Sequence, residues 1–165
     1  MYGFLEQLLH YFHRPHVGAP AGRVGGTAAW SGDALARSDV WRERLDPIQV
    51  AELQRAVATA RASRRPTRDL TAADLPLPSL ATSIARWRDE IRDGRGFIVI
   101  SGFPVNDWSE QEAEIAFWCL GHHLGVPGAQ NEEGDLLGHV EDLSATARHA
   151  DERLYRTNRS IRFHC

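Results

Sequence analysis

The sequence predicts an α+β fold, with helices leading and only the first strands of a larger sheet following. Several stretches repeat apolar residues at helical spacing and carry helix start or stop residues at their ends. One run, Phe97-Ile98-Val99-Ile100, is short, β-branched and bracketed by glycine, which is the signature of a strand. The next extended stretches are Leu136–Val140 and Ile161–His164. A strand must pair its backbone with something, and two or three strands do not close a sheet.

Composition narrows the class. The chain has 165 residues, 19 basic and 22 acidic, for a net charge of −3. That length suits one domain with an appendage and permits burial of about 70% of the unfolded surface. The hydrophobic share of 42% and charged share of 25% exclude wholesale disorder and a collagen-like or disulfide-scaffold class. The charge balance argues against a nucleic-acid partner, which needs a basic excess or a dense basic face. Every basic residue is arginine, so Schiff-base and P-loop lysine chemistries are excluded. Two cysteines, Cys119 and Cys165, make no framework and fit a reduced, cytoplasmic protein. No segment reaches the ~20 apolar residues of a membrane helix. The N-terminus has no basic n-region and carries Glu6 and Gln7 in its apolar part, so no signal peptide is expected.

The elements follow in order. Residues 2–13 predict an amphipathic helix with Phe4, Leu5, Leu8, Leu9 and Phe12 on one side, stopped by Pro15. Residues 14–29 are rich in Gly, Pro and Ala and read as a linker. Residues 1–29 thus form an N-terminal helix and linker, and 30–165 the domain proper. A short helix is expected between Trp30 and Trp41. Asp46-Pro47 marks a helix start, and Val50, Leu53, Val57 and Ala60 line one face. Arginines 61, 64 and 65 suit its C-terminal end. Asp74-Leu75-Pro76-Leu77-Pro78 is expected to be extended. Ser79 is expected to cap a helix whose face is Leu80, Ile84, Trp87 and Ile91, closed by Gly94 and Gly96. The strand at 97–100 is expected to be buried on both faces. Ser109-Glu110-Gln111-Glu112 is a capping box, and the helix behind it is expected to bury Ala113, Ala116, Phe117, Leu120 and Leu124.

Several residues carry possible chemistry. His10, His13 and His16 are spaced by three, but Pro15 keeps them off one helical face. Cys119 and His122 share a helix; the reading is a small buried hydrophobe rather than a nucleophile. The arginines at 61, 64, 65 and 68 read as a solvated helix end rather than a phosphate site. The glycines at 94 and 96 precede a strand, where a dinucleotide loop must follow one. His139-Val140-Glu141 has the i, i+2 spacing that aims an imidazole and a carboxylate at one ion from a strand. Two histidines and a carboxylate form the facial triad of non-haem iron sites. A small metal-binding protein using His139, Glu141 and His164 is therefore one competing reading. A non-catalytic helical interaction module, exposing helix faces such as Leu80, Ile84 and Trp87, is another.

Three segments in order carry a resemblance. They are Gly96-Phe-Ile-Val-Ile-Ser-Gly-Phe-Pro104, Gln130-Asn-Glu-Glu-Gly-Asp-Leu-Leu-Gly-His-Val140, and Tyr155-Arg-Thr-Asn-Arg-Ser-Ile-Arg-Phe-His164. Together they resemble the N-terminal part of the taurine/2,4-D dioxygenase-like superfamily of Fe(II)/2-oxoglutarate-dependent oxygenases. The resemblance implies the first strands of an incomplete double-stranded β-helix, a jelly roll. It implies Fe(II) as metal, 2-oxoglutarate as co-substrate and hydroxylation of a small-molecule substrate. His164 matches the first iron ligand, which relatives follow with one variable residue, here Cys165, and an aspartate. That aspartate, the distal histidine and the arginine that binds 2-oxoglutarate lie beyond residue 165, so residues 1–165 alone are expected to be inactive. His139, Gln130, Asn131 and Asn158 are candidates to line the site, with satisfaction of loop backbone the plainer role for Gln130 and Asn131.

Overall fold

The computed structural model describes residues 4–13, 25–130 and 134–139, with positions 15, 18 and 21–23 between the first two stretches. The elements are α1 (Phe4–His13), α2 (Gly32–Ala36), β1 (Arg42–Arg44), α3 (Pro47–Ala62), α4 (Ala81–Arg92), β2 (Val99–Ser101) and α5 (Glu110–Leu124). Three 3-10 turns, Thr67–Asp69, Ala72–Asp74 and Pro78–Leu80, join α3 to α4. Asp74 and Pro78, expected in an extended string, therefore stand in turns instead: the Asp74 carboxylate accepts from Thr71 N–H at 2.8 Å and closes the turn Ala72–Asp74.

Local chemistry sets the helix starts. The Asp46 carboxylate accepts from the backbone N–H of Ile48 (2.7 Å) and Gln49 (2.9 Å), and the Gln49 side chain accepts from Asp46 N–H at 3.0 Å. Pro47 at the first position needs no donor partner. The expected capping box of α5 is present: Glu112 Oε2 accepts from Ser109 N–H (2.9 Å) and Oγ (2.7 Å). Arg61 at the end of α3 donates to Glu112 at 2.9 Å, so one carboxylate both caps α5 and ties it to α3. The Ser109 backbone and side-chain bonds, then Arg61, hold the Glu112 carboxyl down at about 2.

Further expectations are corrected. First, Ser79 does not cap α4. Its N–H and hydroxyl donate to Glu52 at 2.9 and 2.6 Å, and the turn Pro78–Leu80 leads into the helix instead. Second, the strand at 97–100 is not buried on both faces. β2 pairs in parallel with β1 in the register Arg42↔Val99, Glu43↔Ile100, Arg44↔Ser101. Successive residues of a strand point to opposite faces, so Val99 is 45% exposed while Ile98 and Ile100 pack on the core. Third, α5 buries Ile115, Ala116, Trp118 and Cys119, and Phe117 is 70% exposed. The Trp118 indole, which donates to Leu70 O at 2.9 Å, turns that side of the helix inward. Fourth, Leu136–His139 forms no strand. Gln130 N–H donates to Asp135 O at 2.7 Å and Gly134 takes φ +84°, and Leu136 and Leu137 pack against the core. Val140 lies outside the described residues, as do 141–165.

The core joins α3, the 3-10 turns, α4 and α5. Leu53, Val57, Leu70, Leu75, Leu80, Trp87 and Ile115 are fully buried. Ile91, expected on the α4 face, is exposed. The apolar residues Leu5, Leu8, Leu9 and Phe12 of α1 are exposed as well.

β1 has the sequence Arg-Glu-Arg, which carries no strand signal. Its place comes from Glu43, whose side chain turns inward. The carboxylate accepts from Trp87 Nε1 (2.6 Å) and Ser83 Oγ (2.9 Å), and pairs with Arg86 at 2.5 Å. Burial alone would raise the Glu43 carboxyl; the bonds from Trp87, Arg86 and Ser83 outweigh it and hold the group below its ordinary value.

Two measurements test this account. Glu43→Ala leaves the Trp87 N–H and Ser83 hydroxyl without their partner and is expected to lower stability by about 2–3 kcal/mol, read from urea unfolding. The Glu43 contribution is present above the unfolded pKa of 4.5 and is lost as pH falls through the lower folded value, so the difference from wild type shrinks in acid. Asp46→Ala removes a helix cap and is expected to cost about 1 kcal/mol in the same assay.

Candidate functional site

Above Trp118 the fold leaves an open cleft of about 230 Å³ between α5, the Thr67–Asp69 turn and residues 134–139. Thr67, Arg68, Glu114, Trp118, Asp135 and His139 line it, with Leu136 and Leu137 closing one side. The turn is rigid for a local reason: Asp69 N–H donates to Pro66 O (2.9 Å) and Leu70 N–H to Thr67 O (3.0 Å). Arg65 also bridges Asp74 and the Asp69 carbonyl. Trp118 is held under the cleft by its bond to Leu70 O.

Glu114 precedes the buried Ile115 and so sits at the edge of the core face of α5. Its side chain is 28% exposed, and His139 Nε2 stands 3.8 Å from its Oε2. That is an ion-pair distance when the imidazole is protonated and too long for a hydrogen bond. Arg68, which also lines the cleft, has its Nε 4.0 Å from Asp69 Oδ1 and its side chain 81% exposed.

The structure places two of the expected site residues. His139 lines this cleft. Gln130 lies outside it, donating its side-chain amide to Gly128 O at 2.9 Å. Asn131, Glu141, Asn158, His164 and Cys165 lie outside the described residues. Among the described residues no group of three His, Cys, Asp or Glu side chains is placed to hold a metal. Glu114 escaped the sequence reading; an acidic residue wedged beside the apolar positions of an amphipathic helix was its only signal.

Cys119 and His122 supply structure beneath the cleft. Cys119 is fully buried, and burial, then the charge of Asp74, pushes its thiol up to about 11. A thiol so protonated is no nucleophile. The His122 ring packs edge-on to Trp118 at 4.9 Å, and burial lowers its pKa, so it is a neutral packing residue. Arginines 61 and 65 pair with Glu112 and Asp74, which ties the end of α3 to its neighbours.

No family model matches the chain. It is 25% identical over 142 residues to FR-33289 synthase of Streptomyces rubellomurinus (strain ATCC 31215). The match covers 86% of this chain and 42% of that protein, so the chain spans less than half the length of the curated relative it matches. By its name that relative is an enzyme, and the likeness is to an enzyme. Among the described residues no helix is long and apolar enough to cross a membrane.

The inert state of Cys119 is directly measurable. In a Cys165→Ser background, a thiol reagent at pH 8 is expected to leave the native protein unlabelled and to label it once denaturant is added.

Proposed function

We propose that this chain is the N-terminal portion of a cytoplasmic, non-haem Fe(II)/2-oxoglutarate-dependent oxygenase that hydroxylates a small molecule. The observation that carries the reading is the likeness to FR-33289 synthase over 142 residues. A match of that length necessarily includes Gly96–Pro104 and Gln130–Val140, two of the three segments that resemble the taurine/2,4-D dioxygenase-like superfamily. In this reading the β1–β2 pair belongs to a jelly roll completed by sequence beyond residue 165.

The described residues do not contain the iron ligand set. By resemblance His164 is the first ligand and Cys165 the variable residue after it, with the carboxylate and second histidine further on. Bound together, Fe(II) and 2-oxoglutarate supply an oxidative decarboxylation to succinate coupled to hydroxylation. The part played by the residues described here is placement. Trp118, Leu136 and Leu137 offer an apolar floor and wall, and Glu114, Arg68 and His139 offer charge for orienting a polar substrate. The interaction-module reading turned on whether helix faces such as Leu80/Ile84/Trp87 are exposed; those three residues are buried in the core, while Leu5, Leu8, Leu9 and Phe12 of α1 are exposed.

The test begins with the intact mass of the protein as its source cell makes it. A mass well above 18.4 kDa, with an acidic residue directly after Cys165, is expected. That polypeptide should form succinate from 2-oxoglutarate only with Fe(II), and His164→Ala should abolish turnover. Residues 1–165 alone should form none. Succinate formation that survives His164→Ala would remove the assignment.

A further inference from the structure

The apolar face of α1 is turned away from its own domain. Leu5, Leu8, Leu9 and Phe12 fall within about 100° of one another around the helix, and they are between 42% and 69% exposed. Gln7 lies about 150° from the centre of that stripe. Its side chain rests on Gly128, where an added Cβ would stand 2.9 Å from Gln7 Cδ. The helix therefore meets the domain through a polar residue and leaves its apolar stripe to solvent. Large apolar side chains gathered in one exposed row mark an interface.

The stripe is its own complement. Reversing the helix about the point midway between Leu8 and Leu9 places Leu5 opposite Phe12 and Leu8 opposite Leu9. A two-fold axis through that point sets each apolar residue of one copy against an apolar residue of the other. One flank of the stripe carries Glu6 near the start of the helix and His13 at its end. The same reversal brings Glu6 of each copy beside His13 of the other, within one turn in height. A lipid surface is the poorer match, because helices that lie on membranes carry Lys and Arg on their polar face, and Phe4–His13 has neither. At about 200 Å² for a large side chain, the exposed fractions leave roughly 450 Å² of apolar stripe on each copy, and two such stripes reach the size of weak, reversible interfaces. We propose that this face is a dimer contact: α1 pairs antiparallel with α1 of a second copy of the chain, with Leu8 and Leu9 at the centre and Glu6 beside His13 at each edge. The contact needs neither iron nor turnover, so it stands apart from the oxygenase reading.

The test is sedimentation of the 165-residue chain over a hundredfold range of concentration. A reversible rise from 18.4 kDa toward twice that mass is expected. Leu9→Glu should leave a monomer; Leu9 lies outside the core, so an unchanged urea transition certifies that the variant is folded. His13→Glu sets two carboxylates together at each edge and should weaken the dimer about tenfold, and Glu6→Arg added to it should restore the affinity. In a Cys165→Ser background, Glu6→Cys mixed with His13→Cys should form a disulfide between copies, and neither variant alone should. A monomer at every concentration, a dimer that survives Leu9→Glu, a double variant no tighter than His13→Glu, or cross-linking only of like with like overturns the proposal. So does a polypeptide extended beyond residue 165 that stays monomeric, which assigns the face to later sequence, or a monomer that binds phosphatidylglycerol vesicles, which assigns it to lipid.

Discussion

The Glu43 carboxylate is the point on which the two halves of this fold meet. An isolated carboxylate at 15% exposure would be driven to protonate or to leave. Here the Trp87 indole, the Ser83 hydroxyl and the Arg86 guanidinium surround it, all three from one helix. Glu43 is also the central residue of β1, opposite Ile100 of β2. One side chain therefore fixes the sheet pair against α4, and through the fully buried Trp87 against the whole core. The bonds satisfy a buried group whose solitary burial would be prohibitive, which makes the clamp a matter of specificity as much as of stability.

From α4 the order passes through the core to α5, and from α5 to the cleft. Glu112 caps α5 and anchors it to α3 through Arg61. Trp118 is set by the carbonyl of Leu70, at the end of the turn that also presents Arg68. The cleft is thus built from a helix pinned at its start and in its middle, and from a turn knitted by Arg65. Glu114 stands on that helix and Arg68 on that turn. The buried thiol of Cys119 and the neutral ring of His122 belong to the same helix.

The helix starts were legible in the residues. Asp46-Pro47 and Ser109-x-x-Glu112 are local devices whose partners lie within four residues, so the sequence contains every atom of the interaction. The capping role expected for Ser79 failed for the converse reason: Glu52, distant in sequence, offered its N–H and hydroxyl a charged acceptor. The strand β1 was illegible because neither of its arginines nor its glutamate favours a strand. It exists because β2 needs a partner and α4 offers Glu43 three donors. Within the site, His139 was legible from its i, i+2 spacing to Glu141 and from the family resemblance, while Glu114 was masked by the helical pattern around it.

What the sequence determined by itself is the order of helices, the capped starts of α3 and α5, the apolar β2, and the exclusion of lysine chemistry. Each follows from interactions between near neighbours or from composition. Only the tertiary structure decided which face of α5 is buried, that Arg-Glu-Arg forms a strand, and that Glu114, Arg68 and His139 share one cleft. Those outcomes depend on where distant segments meet, and a buried charge settles there only where its partners from other elements already stand.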